Sequence, residues 1–389
     1  MGGPSSRGSF RAMSLRITSN FDSGNIRVVD ASDPSNLQLE IEVDAGGEHF
    51  QWFHYRVTGA RDQALRMRIC NAAKASYVGG WEDYEARASY DREYWFRVPT
   101  RYENGELVIE HRPETDAVYY AYFAPYGNER HLDLVAEAST DAKVRVERLG
   151  QTLDGRDLDL LVVGASDTPK LPCWVIARQH PGETMAEWFV EGFLDRLLDD
   201  DDPVARELLR RATFYVVPNM NPDGSSRGHL RCNAAGANLN REWQSPTMER
   251  SPEVFLVRER MQRSGLRFCL DVHGDEALPY NFIAGSDGVE GLPEAVVAAR
   301  HAYEAALVRS SPDFQTEHGY PKAAPGTANM TMATNWIADA FKALAMTLEQ
   351  PFKDTKDTPY PESGWSPERA RKLGRANLDA LWAVLDQLG

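Results

Sequence analysis

Short segments in which hydrophobic and polar residues alternate dominate the first third of the chain. Between residues 14 and 137 these segments recur at roughly ten-residue spacing, and they include LQLEIEVD, HFQWFHYRV, LRMRICNA, GELVIEHR and AVYYAYFAPY. Alternation with a period of two is typical of strands that bury one face. Because no long helical pattern is visible in this region, we predict an antiparallel β-sandwich over residues 14–137.

After residue 138 the pattern changes to continuous apolar segments that alternate with amphipathic ones. The apolar segments are typical of buried strands and are DLLVVGA, LPCWVIARQ, TFYVVPNMN, RFCLDVHGD and ALAMTLEQP. The amphipathic segments have helical periodicity and are ETMAEWFVEGFLDRLLD, PEVFLVRERMQRSG, PEAVVAARHAYEAALVRS and SPERARKLGRANLDALWAVLDQL. We therefore predict an α/β/α domain over residues 138–389, with helices on both faces of a mixed, mostly parallel sheet.

The length and composition agree with this division into two globular domains. The chain has 389 residues, of which 42% are hydrophobic and 26% are charged, and this composition can form a hydrophobic core. No segment of the sequence approaches the ~20 apolar residues of a membrane helix. Residues 1–13 precede the first strand pattern, and we predict that they form a disordered extension.

Charge and cysteine content restrict the partners and the compartment. The net charge of −15 argues against nonspecific binding to nucleic acid or to an anionic membrane surface. The four cysteines are far apart in the sequence and form no CxxC pair, and the first residues contain no apolar stretch of the secretory type. We therefore predict a cytoplasmic protein without nucleic-acid or membrane partners.

Polar side chains follow four of the predicted strands at their carboxyl ends. The residues in these positions are His180, Glu183, Asn219, Asn221, His273 and Glu349. In open α/β sheets, ligands bind outside the carboxyl ends of the strands. The sequence therefore predicts a single site assembled from distant segments.

The residue types at these strand ends indicate zinc chemistry. His180 and Glu183 are three residues apart across a Pro-Gly turn, so both side chains can face one point, and His273 would complete a His₂Glu set. Three protein ligands leave the fourth tetrahedral position open, as in catalytic zinc sites. Glu349 is the candidate for the general base. Each of these residues alone is also typical of a structural role, and their shared location favours the metal.

A polar, glycine-rich loop at residues 219–243 contributes further candidates. It contains Arg231, Asn240 and Arg241 directly after a predicted strand. Arginine grips a carboxylate through two parallel hydrogen bonds and can also stabilise an oxyanion. Without a metal site nearby, these residues would be interpreted as ordinary members of a solvated loop.

Taken together, the motifs resemble those of the zinc carboxypeptidases. The catalytic part carries HPGE at 180–183, NPDG at 221–224, RCNAAGANLNREW at 231–243, DVHGD at 271–275 and TLEQPF at 347–352. The N-terminal part carries SNFDSGNI at 19–26, WFHYRV at 52–57 and YYAYFAPYGNER at 119–130. These latter segments resemble the β-sandwich domain of the cytosolic carboxypeptidase subgroup, and the chain looks like a bacterial-type member.

The resemblance implies an enzyme that hydrolyses the C-terminal peptide bond of peptides or protein tails. It implies one zinc ion per chain, held by His180, Glu183 and His273. Glu349 matches the family's general base, and Arg231 matches the arginine that polarises the scissile carbonyl. The residues that match the pair binding the terminal carboxylate are Asn240 and Arg241.

The segment before the catalytic glutamate departs from the family pattern. In eukaryotic cytosolic carboxypeptidases it commonly reads SK…GTxR, and its basic residues are thought to favour acidic substrate side chains. Residues 319–336 of this chain retain Lys322 but have Asn329 where the arginine would stand. Lys322 would attract a C-terminal glutamate, so the resemblance predicts a preference for acidic C-terminal residues, whereas Asn329 would suit a neutral polar side chain. Tyr320 is the candidate for the tyrosine that many zinc carboxypeptidases place over the substrate, and packing within the loop is its alternative role.

Two other functions are compatible with parts of the sequence. A zinc amidohydrolase of the aspartoacylase type, acting on N-acyl amino acids, would use a similar metal set, but the match over both domains disfavours it. An inactive peptide-binding module could keep the fold. The presence of Glu349 and Arg231 argues against such a module, because a protein that only binds peptides has no need of a base.

Overall fold

The computed structural model describes residues 15–389, and the extension predicted over residues 1–13 lies outside this range. Strands make up most of the N-terminal part. Within residues 15–127 they are β1 Arg16–Thr18, β2 Arg27–Asp30, β3 Leu37–Glu40, β4 His54–Thr58, β5 Leu65–Ile69, β6 Arg87–Ser89, β7 Phe96–Arg97, β8 Thr100–Glu103, β9 Glu106–His111 and β10 Ala117–Ala121.

These strands form two five-stranded sheets, in the orders β1-β4-β10-β6-β7 and β2-β3-β5-β9-β8. Pairing is antiparallel apart from β3 and β5, which run parallel. Burial alternates along β5 and places Leu65, Met67 and Ile69 in the core, as its period of two predicts. The Tyr55 hydroxyl lies 3.2 Å from the Met67 sulfur, so the two sheets face each other across a shared core. The predicted sandwich is confirmed.

A helix that the sequence pattern did not reveal, α1 Asn128–Ser139, follows the sandwich. No long helical pattern is visible within residues 14–137 of the sequence, yet α1 begins inside this range. The buried residues of α1 are His131, Leu134 and Ala138, so a single large apolar side chain marks its inner face. Because α1 crosses residue 137, it joins the two predicted domains, and the position of their boundary stays a prediction.

The remainder of the chain alternates strands and helices, as predicted. The strands are β11 Val144–Gln151, β12 Asp157–Val163, β13 Leu171–Ala177, β14 Ala212–Val217, β15 Phe268–Val272, β16 Phe282–Ala284 and β17 Leu344–Glu349. The helices are α2 Met185–Leu197, α3 Pro203–Arg211, α4 Pro222–Arg227, α5 Pro252–Ser264, α6 Glu294–Ser310, α7 Ala333–Phe341 and α8 Pro367–Val384. Among the described residues, no helix is long and apolar enough to cross a membrane.

These seven strands form one sheet in the order β11-β12-β14-β13-β15-β17-β16. The central strands β14, β13, β15 and β17 are parallel to one another, whereas β12 and β16 run in the opposite direction. Alternate residues of β13 serve opposite faces: Cys173 and Val175 pack in the core with α2, α6 and α8, and Trp174 and Ile176 pack with α5 and α7. The predicted α/β/α architecture with a mixed, mostly parallel sheet is confirmed.

The sandwich and the catalytic part share one continuous hydrophobic core. Tyr122, just after β10, stacks on Phe352, just after β17, with their ring centroids 4.5 Å apart. The buried Arg87 guanidinium of the sandwich donates a hydrogen bond to the Trp365 carbonyl at 3.1 Å. Extensive burial of aromatic surface at this junction holds the two parts in a fixed relation.

Candidate active site

The carboxyl ends of three adjacent parallel strands bring the predicted site residues together. Ala177 of β13 pairs with Val272 of β15, and Val272 pairs with Leu348 of β17. His273 and Glu349 therefore occupy neighbouring positions at the ends of β15 and β17, and the turn after β13 carries His180. The backbone amide of His273 also donates a hydrogen bond to the Leu348 carbonyl at 2.8 Å, which fixes this register.

The turn after β13 has an unusual backbone that places His180 and Glu183. Arg178 adopts a left-handed conformation, with φ of 59°, which is strained for a residue with a side chain. Its buried guanidinium donates to the carbonyls of Tyr126 at 2.8 Å and Pro181 at 2.9 Å, and these bonds hold the turn. Gly182 lies against Leu230, where a Cβ would come within 3.0 Å of the Leu230 carbonyl oxygen, so the HPGE turn touches the loop that carries Arg231.

Three buried side chains converge at the strand ends. Glu183 places one carboxylate oxygen 2.7 Å from Nδ1 of His180 and the other 2.9 Å from Nδ1 of His273. The two imidazole Nδ1 atoms are 3.1 Å apart. Two imidazole nitrogens and a carboxylate grouped so closely form a set of ligands suited to a divalent cation such as zinc.

The opposite ring nitrogens of both histidines meet oxygen atoms. Nε2 of His273 lies 3.0 Å from the buried Asp271 carboxylate, and Nε2 of His180 lies 3.0 Å from the Asn238 side-chain oxygen. These contacts favour a proton on Nε2 and leave Nδ1 free to bind a metal. The residues therefore fit zinc. Asp271 and Asn238 were not predicted, although a carboxylate inside an apolar strand, two residues before a histidine, is a recognisable signal.

Glu349 ends β17 as a buried side chain, and its Oε2 atom has no hydrogen-bond partner among the described residues. Burial raises the pKa of Glu349 to about 8, and the charge of a bound cation would lower it again. A buried carboxylate oxygen without a partner is costly, and such an atom beside a metal site is available to a substrate or a water molecule.

Arg231 lies beside the three ligands. Its guanidinium is 3.9 Å from the Glu183 carboxylate, and 13% of its side chain is exposed. The guanidinium stands over the ring of Tyr77, 5.4 Å from the ring centroid. Tyr77 comes from the N-terminal sandwich and was not predicted as part of the site, since nothing in its local sequence indicates such a role.

Asn240 and Arg241 lie in a short 3₁₀ turn at Leu239–Arg241. The buried Asn240 side chain accepts a hydrogen bond from the Ala333 backbone amide at 2.8 Å, which leaves its NH₂ group free to donate. Arg241 is exposed and donates to the Asn240 carbonyl at 2.7 Å. Desolvation and the nearby charge of Arg231 lower the pKa of Arg241. The two arginines therefore create one positive region beside the ligands.

The structure places Lys322 near two carboxylates of another part of the molecule. Lys322 is exposed, and its charge acts on Asp287 and Glu304. The pKa of Asp287 is lowered, against the cost of its burial, first by its hydrogen bond from Arg300 and then by the charges of Arg300 and Lys322.

Asn329 forms hydrogen bonds with residues close to it in the sequence. Its side-chain oxygen accepts hydrogen bonds from the Thr331 amide at 3.1 Å and the Thr331 hydroxyl at 2.7 Å. Its backbone carbonyl accepts from the Asn335 side chain at 3.1 Å. Asn329 thus shapes the entry into α7, and this role occupies its side-chain acceptor.

Tyr320 turns its hydroxyl toward the strand ends. The hydroxyl donates a hydrogen bond to the Asp275 carboxylate at 2.6 Å, and the ring packs edge-on against Phe282 at 4.9 Å. Desolvation of the hydroxyl, together with the charges of Glu349 and Asp275, raises its pKa. Phe282, on which Tyr320 packs, pairs with Glu349 in the sheet, and 45% of Tyr320 is exposed.

Fold and site together define a metallohydrolase with three protein ligands at the edge of an α/β/α sheet. Comparison with known families agrees over nearly the whole chain. Residues 17–123 match the cytosolic carboxypeptidase N-terminal domain, and residues 129–365 match the zinc carboxypeptidase family. The chain belongs to the zinc carboxypeptidase family, in the cytosolic carboxypeptidase group. It is accordingly a metallocarboxypeptidase, and the family uses one zinc ion and acts on peptide C-termini.

Individual relatives extend this comparison. An uncharacterized protein of Zymomonas mobilis is 50% identical over 97% of this chain and 98% of its own length. The crystal structure of a Pseudomonas aeruginosa metallo-carboxypeptidase in complex with (2-guanidinoethylmercapto)succinic acid is similar, with 45% identity, a TM-score of 0.93, and coverage of 96% of this chain and all of the other. Mouse cytosolic carboxypeptidase 1 is 29% identical over 70% of this chain, which spans only 26% of the mouse protein.

Proposed function

We propose that this enzyme removes single residues from the C-termini of peptides or protein tails, using the residues grouped at the strand ends. The observation that carries the assignment of roles is the buried carboxylate of Glu349, whose Oε2 atom has no partner among the described residues and which ends the strand beside His273. A general base needs such a position, next to the metal ligands and free to accept a proton.

His180, Glu183 and His273 would hold the zinc ion, which when bound supplies Lewis-acid chemistry for peptide hydrolysis. Glu349 accepts a proton from the attacking water and delivers it to the amine as the C–N bond breaks. The Arg231 guanidinium donates hydrogen bonds to the oxygen of the scissile carbonyl, which gains negative charge during the attack.

The terminal carboxylate would be bound on the positive side of the site. The NH₂ group of Asn240 is free to donate, and the exposed Arg241 guanidinium offers further donors. A carboxylate held there places the last peptide bond near Glu349 and Arg231, so only the C-terminal bond reaches the catalytic groups. Tyr320, whose hydroxyl donates to Asp275, would cover the bound residue.

An acidic preference is not required by this arrangement. The sequence linked that preference to Lys322, but Lys322 is exposed and its charge acts on Asp287 and Glu304, and Asn329 carries no charge to attract an acidic side chain. The Pseudomonas relative is in complex with a succinic acid that carries a guanidino arm, and a cationic arm of this kind does not suit a pocket that selects acidic side chains. We propose that acidic C-terminal residues are accepted without strong selection.

Release of free amino acids from a panel of peptides tests this function. Zinc-loaded enzyme is incubated with peptides that differ only in a C-terminal Glu, Lys or Leu, and with C-terminally amidated versions as matched controls. We expect the amides to resist cleavage, because they lack the carboxylate, and kcat/KM for Glu and Leu ends to agree within about tenfold. Equal cleavage of the amides, or turnover of N-acyl amino acids but not of peptides, would contradict the proposal.

We also propose that the enzyme acts in the cytoplasm. Its four cysteines are free thiols, and Cys173, Cys232 and Cys269 are buried. Such thiols persist in a reducing compartment. Fractionation of cells that express the full chain tests this location, and recovery of the protein in an oxidising compartment would contradict it.

A further inference from the structure

We propose that the N-terminal sandwich completes the catalytic site, with Asp44 and Tyr77 as positioning residues for the guanidinium of Arg231. This inference rests on the proposed role of Arg231 in stabilising the oxyanion. It gives the sandwich a part in the reaction itself, through two contacts that reach the same arginine, one at its backbone and one at its side chain.

Asp44 holds the backbone of the loop that carries Arg231. It lies between β3 and β4, and its side chain is buried. One carboxylate oxygen accepts a hydrogen bond from the amide of Leu230 at 2.7 Å, and the other accepts from the amides of Arg231 and Cys232, both at 2.8 Å. Three successive amides directed at one carboxylate form a strong, charge-assisted anion site, which sets the direction in which Arg231 leaves the backbone.

Neighbouring residues lock the same two loops together. The amide of Ala45 donates to Nε2 of His229 at 3.0 Å, and Nδ1 of that histidine lies 2.9 Å from the Cys232 carbonyl. Gly46 and Gly236 are packed so closely that a Cβ on Gly236 would come within 2.1 Å of the Gly46 carbonyl oxygen. The Arg231 loop therefore takes its shape from residues 44–47 of the sandwich.

Tyr77 supports the other end of Arg231. Its ring lies 5.4 Å from the guanidinium carbon, within the range of a cation–π contact. The backbone of Tyr77 is anchored, because the buried Gln51 side chain accepts from the Tyr77 amide at 2.8 Å and donates to the Tyr77 carbonyl at 3.0 Å. Arg231 is thus held at its backbone amide, and its guanidinium lies over an aromatic ring. A guanidinium held in this way needs little reorganisation when charge develops on the substrate.

A double-mutant cycle separates positioning from general structural support. Asp44→Asn, Arg231→Ala and the double variant are compared by kcat and KM on a cleaved peptide, at enzyme concentrations high enough to measure the slow variants. We expect Asp44→Asn to lower kcat/KM by about tenfold or more, mainly through kcat, and to cause no further loss in the Arg231→Ala background. Equal losses in both backgrounds would overturn the proposal.

Asp22→Asn is the matched control. Asp22 also joins the sandwich to the catalytic part, accepting from the Ser226 hydroxyl and the Asn128 amide, both at 2.8 Å, and neither bond involves residues 230–232. We expect this variant to keep kcat/KM within about twofold of the wild type, since it leaves the charged site at Asp44 intact. A loss as large as that of Asp44→Asn would refute a specific role for Asp44.

Hydrogen exchange gives a readout that does not depend on peptidase activity. Asp44→Asn should increase amide exchange in residues 230–232, whereas Asp22→Asn should not, because exchange reports local opening of those amides. Unchanged exchange would contradict the contact. If the two variants changed amide exchange as expected but the wild type cleaved no peptide, the proposed function would fail, whereas the positioning of Arg231 by Asp44 would still hold.

Substitutions of Tyr77 test the second contact. Tyr77→Phe keeps the aromatic ring and should retain kcat/KM within about twofold, whereas Tyr77→Leu removes the ring face and should lower it by about fivefold. An unchanged Leu variant, or a Phe variant as impaired as the Leu variant, would show that the ring does not position Arg231.

Discussion

We predict that the folded protein loses stability as the pH rises above neutrality, because of a buried histidine in α1. His131 is buried, with Nδ1 2.7 Å from the Glu187 carboxylate of α2 and Nε2 3.3 Å from the Asp159 carboxylate of β12. Burial alone would lower the pKa of His131, but hydrogen bonds and charge from the two carboxylates raise it to about 9. Glu187 also binds the Arg178 guanidinium at 2.5 Å.

The size of the effect follows from the difference between folded and unfolded pKa values. A histidine titrates near 6.5 in an unfolded chain, so the protonated form stabilises the fold fully below about pH 6.5 and not above about pH 9. For a folded pKa of about 9, linkage gives a loss of about 2.5 kcal/mol between pH 7 and pH 10. Most of this loss falls between pH 7 and pH 9.

A His131→Gln variant isolates this contribution, because other titrating groups cancel in the comparison with the wild type. Urea unfolding of both proteins is followed by tryptophan fluorescence from pH 7 to pH 10. We expect the wild type to be more stable at pH 7 and its advantage to shrink by about 2.5 kcal/mol at pH 10. His301→Gln, at an exposed position of α6, serves as the control for the loss of a histidine outside the core. A pH-independent difference for His131→Gln would refute the reasoning.

Three further predictions concern the site and the domain junction. Glu349→Gln should lower kcat by about 10²–10⁴-fold while atomic absorption still finds one zinc per chain, and an active variant would exclude Glu349 as the base. Asp271→Asn should weaken zinc binding by about 10–100-fold in chelator competition, whereas unchanged affinity would show that Asp271 does not support His273. Phe352→Ala should cost about 3–5 kcal/mol in urea unfolding, since its ring is fully buried against Tyr122, and a cost below about 1 kcal/mol would mean that the junction contributes little.

The sequence was most informative where chemistry and local pattern coincide. His180 and Glu183 are separated by a single turn, and His273 and Glu349 directly follow apolar strands, so their convergence could be expected from the geometry of a parallel sheet. The structure brings the first three within hydrogen-bonding distance of one another. The same logic extends to Asp271, whose burial inside β15 is the kind of anomaly that marks a supporting residue.

Contacts between distant segments could not be predicted in this way. Asp44 is 187 residues from Arg231 in the sequence, and its local sequence, DAGG, is typical of any surface turn. The helix α1 was missed because a histidine occupies one of its three buried positions, where the periodicity requires an apolar side chain. The surroundings of Lys322 depend on the path of a loop, and a single sequence holds no pattern that specifies such a path.

Because the sandwich and the catalytic part share one core, we expect that neither part stays folded and soluble when it is separated from the other. Separating the two parts would uncover Tyr122 and Phe352 and remove the Phe352 and Trp365 carbonyls from the Arg87 guanidinium. Each fragment would then expose an aromatic patch of the kind that drives aggregation. The chain should therefore behave as one cooperative folding unit, and neither half can be exchanged for that of a relative without refitting the surface between them.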